Sequence, residues 1–187
     1  MFYKTKLKDH VRVAPHRFGL PVKDALLQQL KSQYEGFISK EIGIVIDIID
    51  VSDVDDGVII PGDGAAYYNA EFTALIFKVT LQEVFLGKIR DITDFGAFVT
   101  LGPIEGMIHI SQTMDDFVSF AKDKVLQGKQ SNKTLKAGEK VRARMIAISF
   151  KDVANPKFGL TMRQPGLGKL EWVIEDLATT TKKKSGA

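Results

Sequence analysis

Apolar and polar residues alternate over Phe95–Leu101 and again over Met107–Ile110, the period of a strand with one buried face. Ala97, Val99 and Leu101 fall on one side of the first segment, with Phe98 and Thr100 on the other; Ile108 and Ile110 oppose Met107 and His109 in the second. Gly102-Pro103 and Gly106 supply the reversal between them. Similar stretches predict strands over Val84–Ile92, Val141–Ile148 and Phe158–Met162. Five short strands set off by glycines suit a small Greek-key barrel.

The first eighty residues have a different rhythm. Phe2–Leu7 predicts a strand with Lys4, Lys6 and Lys8 on one face, and Val11–Pro15 reads as irregular. Pro21 opens a helix in which Val22, Leu26, Leu27, Leu30 and Tyr34 recur at helical spacing, and Gly36 closes it. Ile42–Val54 is rich in β-branched residues and predicts a strand, with Asp55-Asp56-Gly57 as a turn and Val58–Pro61 as its return partner. Phe72–Val79 predicts a further buried strand. Before it, Gly62-Asp63-Gly64 forms a tight loop of little side-chain bulk, whose backbone another surface can approach closely.

A boundary near Leu81 divides the chain into an N-terminal domain (1–80), a barrel domain (81–178) and a flexible basic tail (179–187) that contains Lys182–Lys184. Leu167–Leu177 predicts a closing helix anchored by Trp172. Between the third and fourth barrel strands, Gln112–Ala137 has room for a short helix and is rich in lysine; phosphate contact and simple solvation both fit it.

Charge sharpens the division. Residues 1–80 hold 9 Lys+Arg against 11 Asp+Glu, and residues 81–187 hold 17 against 12, so the net charges are −2 and +5. The barrel half therefore favours a polyanion partner. With no cysteine there are no disulfides or thiolate metal sites, and the three histidines lack metal-ligand spacing. Asp47, Asp50, Asp53, Asp55, Asp56 and Asp63 crowd together, but in strand and turn positions where aspartate serves the backbone, so neither metal nor cofactor is expected. The apolar runs fall short of a membrane span, giving an expectation of a cytoplasmic protein without a membrane partner.

Two strings imitate enzyme motifs. Asp94-Phe95-Gly96 matches a kinase triplet without its lysine and catalytic-loop partners, and Gly166-Leu167-Gly168-Lys169 is followed by Leu170 where a phosphate loop needs Ser or Thr. His109 and Ser111 share a strand face, yet no orienting acid is evident for nucleophilic catalysis. An aromatic ring beside an imidazole on the outer face is, in contrast, the chemistry of a base-stacking surface.

G-K-I-R-D-I-T-D-F-G-A-F-V (87–99), G-M-I-H-I-S (106–111), K-A-G-E-K-V-R-A-R (136–144) and L-T-M-R (160–163) together resemble an S1-type RNA-binding domain. With G-D-G-A-A-Y (62–67), Met107–Asp116 and L-T-M-R-Q-P-G-L-G-K-L-E-W (160–172), the chain from Phe2 to about Glu175 resembles the E-prime family of archaeal RNA polymerase stalk subunits, counterparts of the seventh subunit of eukaryotic RNA polymerase II. The resemblance implies an α+β protein: a small ribonucleoprotein-like α/β domain followed by a five-stranded OB-fold barrel. It implies a non-catalytic subunit that docks on the polymerase core, pairs with a smaller stalk subunit as a heterodimer, binds emerging single-stranded RNA and assists initiation.

For the RNA site, the resemblance points to Phe95, Phe98 and His109 as the stacking surface and Lys157 as a backbone contact, with Ser149 where the family commonly has aspartate. Arg142 and Arg144 share a strand face and add phosphate contacts. Gly62, Asp63 and Gly64 form the implied core-docking tip, reaching the core near its clamp. Phe95 and Phe98 are three residues apart, so their joint exposure requires an irregular entry at Gly96. The rival is an S1 subunit of an RNA-degradation or translation-initiation complex, against which the residues before Leu81 argue.

Overall fold

Val45, Ile48, Val51 and Val54 all turn toward the core of the N-terminal unit, although a regular strand would put alternate members of a three-residue series on opposite faces. The computed structural model, which describes residues 1–121, 123–152 and 155–184, divides into the units Met1–Val79 and Thr80–Ala187. In the first, strands β1 (Phe2–Val13), β2 (Ile38–Ser39), β3 (Gly43–Val54), β4 (Val58–Ile59) and β5 (Ala66–Phe77) form a sheet ordered β1-β5-β3-β2, with β4 also on β5.

The series in β3 is reconciled by register shifts against β5 at Val45/Asp47, Ile48/Asp50 and Val51/Asp53. Each adds one residue and returns the next apolar side chain to the same face. Aspartate suits the position after the bulge: Asp47 Oδ1 accepts from the N–H of Ile48 at 2.8 Å and Asp53 Oδ1 from that of Val54 at 3.1 Å. The triplets Val45-Ile46-Asp47, Ile48-Ile49-Asp50 and Val51-Ser52-Asp53 are the sequence signature of this coiling.

Helix α1 (Val22–Tyr34) covers one sheet face through Ala25, Leu26 and Leu30, which pack with Val11, Val13, Ala70, Phe72 and Ala74. Val22, expected on the buried stripe, is exposed. Gly36 follows the helix with φ +78°, a backbone that suits glycine.

Three sequence expectations need correction in this unit. β1 does not stop at Leu7: its alternation continues to Val13, with Asp9 on the core side as the acceptor of the Tyr34 hydroxyl. Val58–Ile59 pairs with Ala66–Tyr67, not with the strand before it. β5 begins at Ala66, earlier than the predicted Phe72.

The second unit contains β6 (Val84–Thr93), β7 (Gly96–Thr100), β8 (Glu105–His109), β9 (Val118–Ala121), β10 (Val125–Gly128), β11 (Thr134–Leu135), β12 (Lys140–Ser149), β13 (Lys157–Thr161), β14 (Gly168–Lys169) and α2 (Leu170–Lys184). The order β13-β8-β7-β6-β12, with β12 also pairing β13, closes a five-stranded barrel. Ile89, Ile92, Ala97, Val99, Ile108, Val141, Met145 and Leu160 fill it. A bulge between Ile89 and Asp91 repeats the device of β3, with Asp91 Oδ1 accepting from Ile92 N–H at 2.9 Å.

Between β8 and β12, where the sequence leaves room for a helix, β9, β10 and β11 form a three-stranded sheet around Leu126 and Leu135. Trp172 and Val173 are buried at the start of α2. That helix runs to Lys184, so residues 179–184 are helical where a flexible tail was expected; residues 185–187 lie outside the described residues.

Candidate nucleic-acid interface

The outer face of β7 and β8 is built around one close approach. Gly96 pairs with His109, and a Cβ at Gly96 would lie 2.2 Å from the carbonyl oxygen of Ile108 and 3.0 Å from His109 Cα. Glycine therefore brings the turn residue Phe95 against the end of β8, where its carbonyl accepts from Ile110 N–H at 2.9 Å. Phe95 precedes β7 and does not obey strand alternation. Phe95 is 47% exposed, and its ring meets that of half-buried Phe98 edge to face, with centroids 5.9 Å apart.

Across the sheet, Phe98 pairs with Met107, Met107 with Gly159, and Gly159 with Ala147. This row falls from an aromatic ring through a thioether to two small residues, making a shelf of which strand alternation in the sequence turns only Phe98 and Met107 outward. At its edge, exposed His109 accepts at Nδ1 from the backbone N–H of Ser111 (3.3 Å), with Ser111 Oγ 2.8 Å away. An acceptor at Nδ1 places the ring proton on Nε2 in the neutral tautomer. Among the described residues, no carboxylate bonds this ring to complete a nucleophilic triad.

Charges surround the shelf unevenly. Asp91 lies opposite Phe98, and Lys124, in the turn between β9 and β10, bonds Asp91 Oδ1 at 3.0 Å. Lys124 holds the carboxyl of Asp91 below its ordinary value. The sequence marks Lys124 only as one of the lysines of Gln112–Ala137; the folding back of β9 and β10 is what brings it to this rim. Lys157 is exposed at the start of β13, two residues before Gly159.

Arg142 and Arg144 are not drawn to the rings. They stand on β12, which is separated from β7 by β6 and from β8 by β13. Arg142 donates to the carbonyl of Gly166 at 3.3 Å, and Arg144 Nε is buried without a hydrogen-bond partner among the described residues.

In the N-terminal unit, the loop at Gly62-Asp63-Gly64 carries positive φ at both glycines, and a Cβ at either would meet open space. Conformation, not crowding, calls for glycine here. Asp63 is engaged within the unit: Arg12 donates to both its carboxylate oxygens at 2.9 and 2.6 Å, and the Tyr67 hydroxyl donates at 2.6 Å. The Arg12 guanidinium, followed by the Tyr67 hydroxyl, brings the Asp63 carboxyl down to about 2. Arg12 lies 51 residues away and carries no signal in the sequence, whereas Tyr67, 4 residues away, closes the G-D-G-A-A-Y string. Among the described residues, no group of three or more His, Asp or Glu is placed to hold a metal ion, and no helix is long and apolar enough to cross a membrane.

Residues 8–64 match the SHS2 domain found in the N terminus of Rpb7p/Rpc25p/MJ0397, and residues 78–150 match the S1 RNA binding domain. The chain is 38% identical over 177 residues to DNA-directed RNA polymerase subunit Rpo7 of Saccharolobus solfataricus, covering 94% of this chain and 98% of that one. It is 36% identical over 183 residues to Rpo7 of Sulfolobus acidocaldarius, covering 97% and 100%. DNA-directed RNA polymerase III subunit RPC8 of Saccharomyces cerevisiae is 36% identical over 114 residues, 61% of this chain and 54% of that one. Among solved structures, Mycoplasma genitalium RNase R in complex with ribose-methylated single-stranded RNA is 34% identical over 43% of this chain and 13% of its own, with a TM-score of 0.37.

Proposed function

This chain belongs to the Rpo7 family of DNA-directed RNA polymerase subunits, and from that membership we propose that it is a non-catalytic stalk subunit whose barrel binds single-stranded RNA leaving the enzyme. The observation that carries the RNA reading is the ring pair Phe95–Phe98 beside exposed His109 on the outer barrel face. Bases stack on such rings with little regard to identity, because every base has a π-face. Exposed His109 offers a ring N–H donor in its Nε2-protonated form, and Lys124 and Lys157 supply positive charge near the shelf.

In the same reading, the loop at Gly62, Asp63 and Gly64 docks on the polymerase core in the cytoplasm. A smaller stalk subunit completes a heterodimer, and contact near the clamp assists initiation. Arg12 and Tyr67 act through Asp63 by holding the loop in shape, so the element offered to the core is a backbone-rich surface more than a free carboxylate.

Labelled single-stranded RNA titrated against the wild-type chain and the Phe98→Ala/His109→Ala double variant tests the barrel assignment. A clear loss of affinity in the double variant is expected; unchanged affinity would remove this face from the RNA path.

A further inference from the structure

Beyond His109 the outer face of the barrel opens into a groove of about 510 Å³, lined by Ile110, Ser111, Asp115, Asp116, Phe117, Val118 and Arg163. Ser111 joins the two features: it lines the groove, and its Oγ lies 2.8 Å from His109 Nδ1. At the far side Phe117 is 76% exposed, which leaves a flat aromatic face open to solvent. The ammonium of Lys129 stands 5.4 Å from the centroid of its ring, and the high exposure leaves ring surface open beside that cation.

The two carboxylates of the groove are not equivalent. Asp116 is turned inward: it accepts from the N–H groups of Ser131 (2.8 Å), Gln130 (2.9 Å) and Phe117 (2.5 Å) and from the Ser131 hydroxyl (2.8 Å). Its charge is spent on the turn that carries Lys129. Asp115 is exposed, and one of its oxygens accepts from both Nε and Nη2 of Arg163 at 2.8 Å. Arg163 is held beside Ser111 because Met162 N–H donates to the Gln112 carbonyl at 2.8 Å and Thr161 Oγ1 to the Gln112 side chain at 2.8 Å.

We propose that the RNA path continues from His109 over Ser111 into this groove, where Phe117 stacks a further base and Arg163 exchanges Asp115 for a backbone phosphate. An exposed ring next to a cation, a guanidinium paired with a single solvent-facing carboxylate, and continuity with the ring pair on the barrel are the elements of a single-strand track. A docked protein would instead favour a contiguous apolar patch around the ring, whereas both Lys129 and Arg163 border it here. The inference rests on the barrel reading above and extends it by a second stacking position.

The test uses the full chain and two single-stranded RNAs, one of about 4 nucleotides and one of about 12, both within the range of about 4 to 16 nucleotides that such folds cover. Phe117→Ala should weaken the longer RNA by about 5-fold or more and leave the shorter one unchanged. Asp115→Asn, which frees Arg163, should tighten the longer RNA selectively. The Phe98→Ala/His109→Ala variant should weaken both. If that variant is impaired but Phe117→Ala binds both RNAs as wild type, the barrel assignment stands and the groove is not part of the path. If no variant alters binding, both assignments fall. If Phe117→Ala spares RNA but loses co-purification with polymerase subunits, the groove is a protein contact and the proposal is wrong.

Discussion

Phe95 and Phe98 meet edge to face, with ring centroids 5.9 Å apart and planes at 89°. They are three residues apart and would diverge on a regular strand. They meet because Phe95 lies in the turn before β7, where Gly96 lets the backbone come close to Ile108 and His109. The contact, and with it the breadth of the stacking surface, depends on a position that has no side chain.

Replacing Phe98 by alanine is expected to lower affinity for single-stranded RNA by about 5- to 150-fold, the range for losing one aromatic stack. The dependence on salt should stay nearly unchanged. Lys157→Ala should do the reverse, reducing the slope of log K against log salt by about one with a smaller loss at low salt. Titrations at several salt concentrations separate the two; a changed slope in Phe98→Ala would contradict the stacking assignment.

Gly96→Ala is expected to destabilise the barrel by roughly 1 to 3 kcal/mol, the usual cost of forcing an extra methyl into a filled space. The obstacle is backbone, since the new Cβ would lie 2.2 Å from the Ile108 carbonyl oxygen. A lower urea midpoint with an unchanged m-value is the signature. Wild-type stability would show that β7 and β8 separate easily.

Asp63→Arg should weaken association with the polymerase core while sparing RNA binding. It removes the acceptor of Arg12 and Tyr67 and sets two guanidinium groups against each other. Adding Arg12→Asp restores the ion pair in reverse. Recovery of core binding in the double variant would mean that Asp63 acts by shaping the loop; continued loss would mean that its carboxylate meets the core directly. Wild-type association of Asp63→Arg itself would exclude the loop as the docking element.

Asp63 and Asp116 should both titrate well below the ordinary aspartate value. Each is brought from an ordinary 3.8 to about 2, Asp63 chiefly by hydrogen bonds from Arg12 and Asp116 chiefly by the backbone N–H of Ser131. Because the folded-state values are depressed, their stabilising contribution is fully present above about pH 4 and is lost as pH falls toward 2. Carboxyl chemical shifts followed by NMR should place both midpoints near 2, with the amides of Gln130 and Ser131 losing protection over the same range. A midpoint near 4 for Asp116 would mean that its bonds to this turn do not persist in solution.

Much of the barrel was legible because one face of each strand must be apolar. Alternation turns Ala97, Val99, Leu101 and Ile108 inward, and all are buried; it turns Phe98 outward, and Phe98 is half-buried, not sealed in the core. The helix carrying Leu26 and Leu30 was legible by the same logic at a different period. Alternation alone said less wherever a polar side chain occupied an inward position. Asp9 interrupts the apolar series of β1 and hid its second half, yet it is accommodated because the Tyr34 hydroxyl donates to it.

What the sequence determined by itself is therefore periodicity: the inward and outward faces of the helix and of the barrel strands, and the glycines and aspartates at which the chain must turn or bulge. Those are local properties, set by side-chain direction and backbone freedom over a few residues. The tertiary structure alone decided which distant groups meet. It placed Val58–Ile59 on β5, joined β9, β10 and β11 in a sheet that brings Lys124 to Asp91, drew Arg12 onto Asp63 across 51 residues, and kept Arg142 and Arg144 away from the rings. Such pairings depend on strand order and barrel closure, and the same alternating pattern is compatible with more than one order of strands.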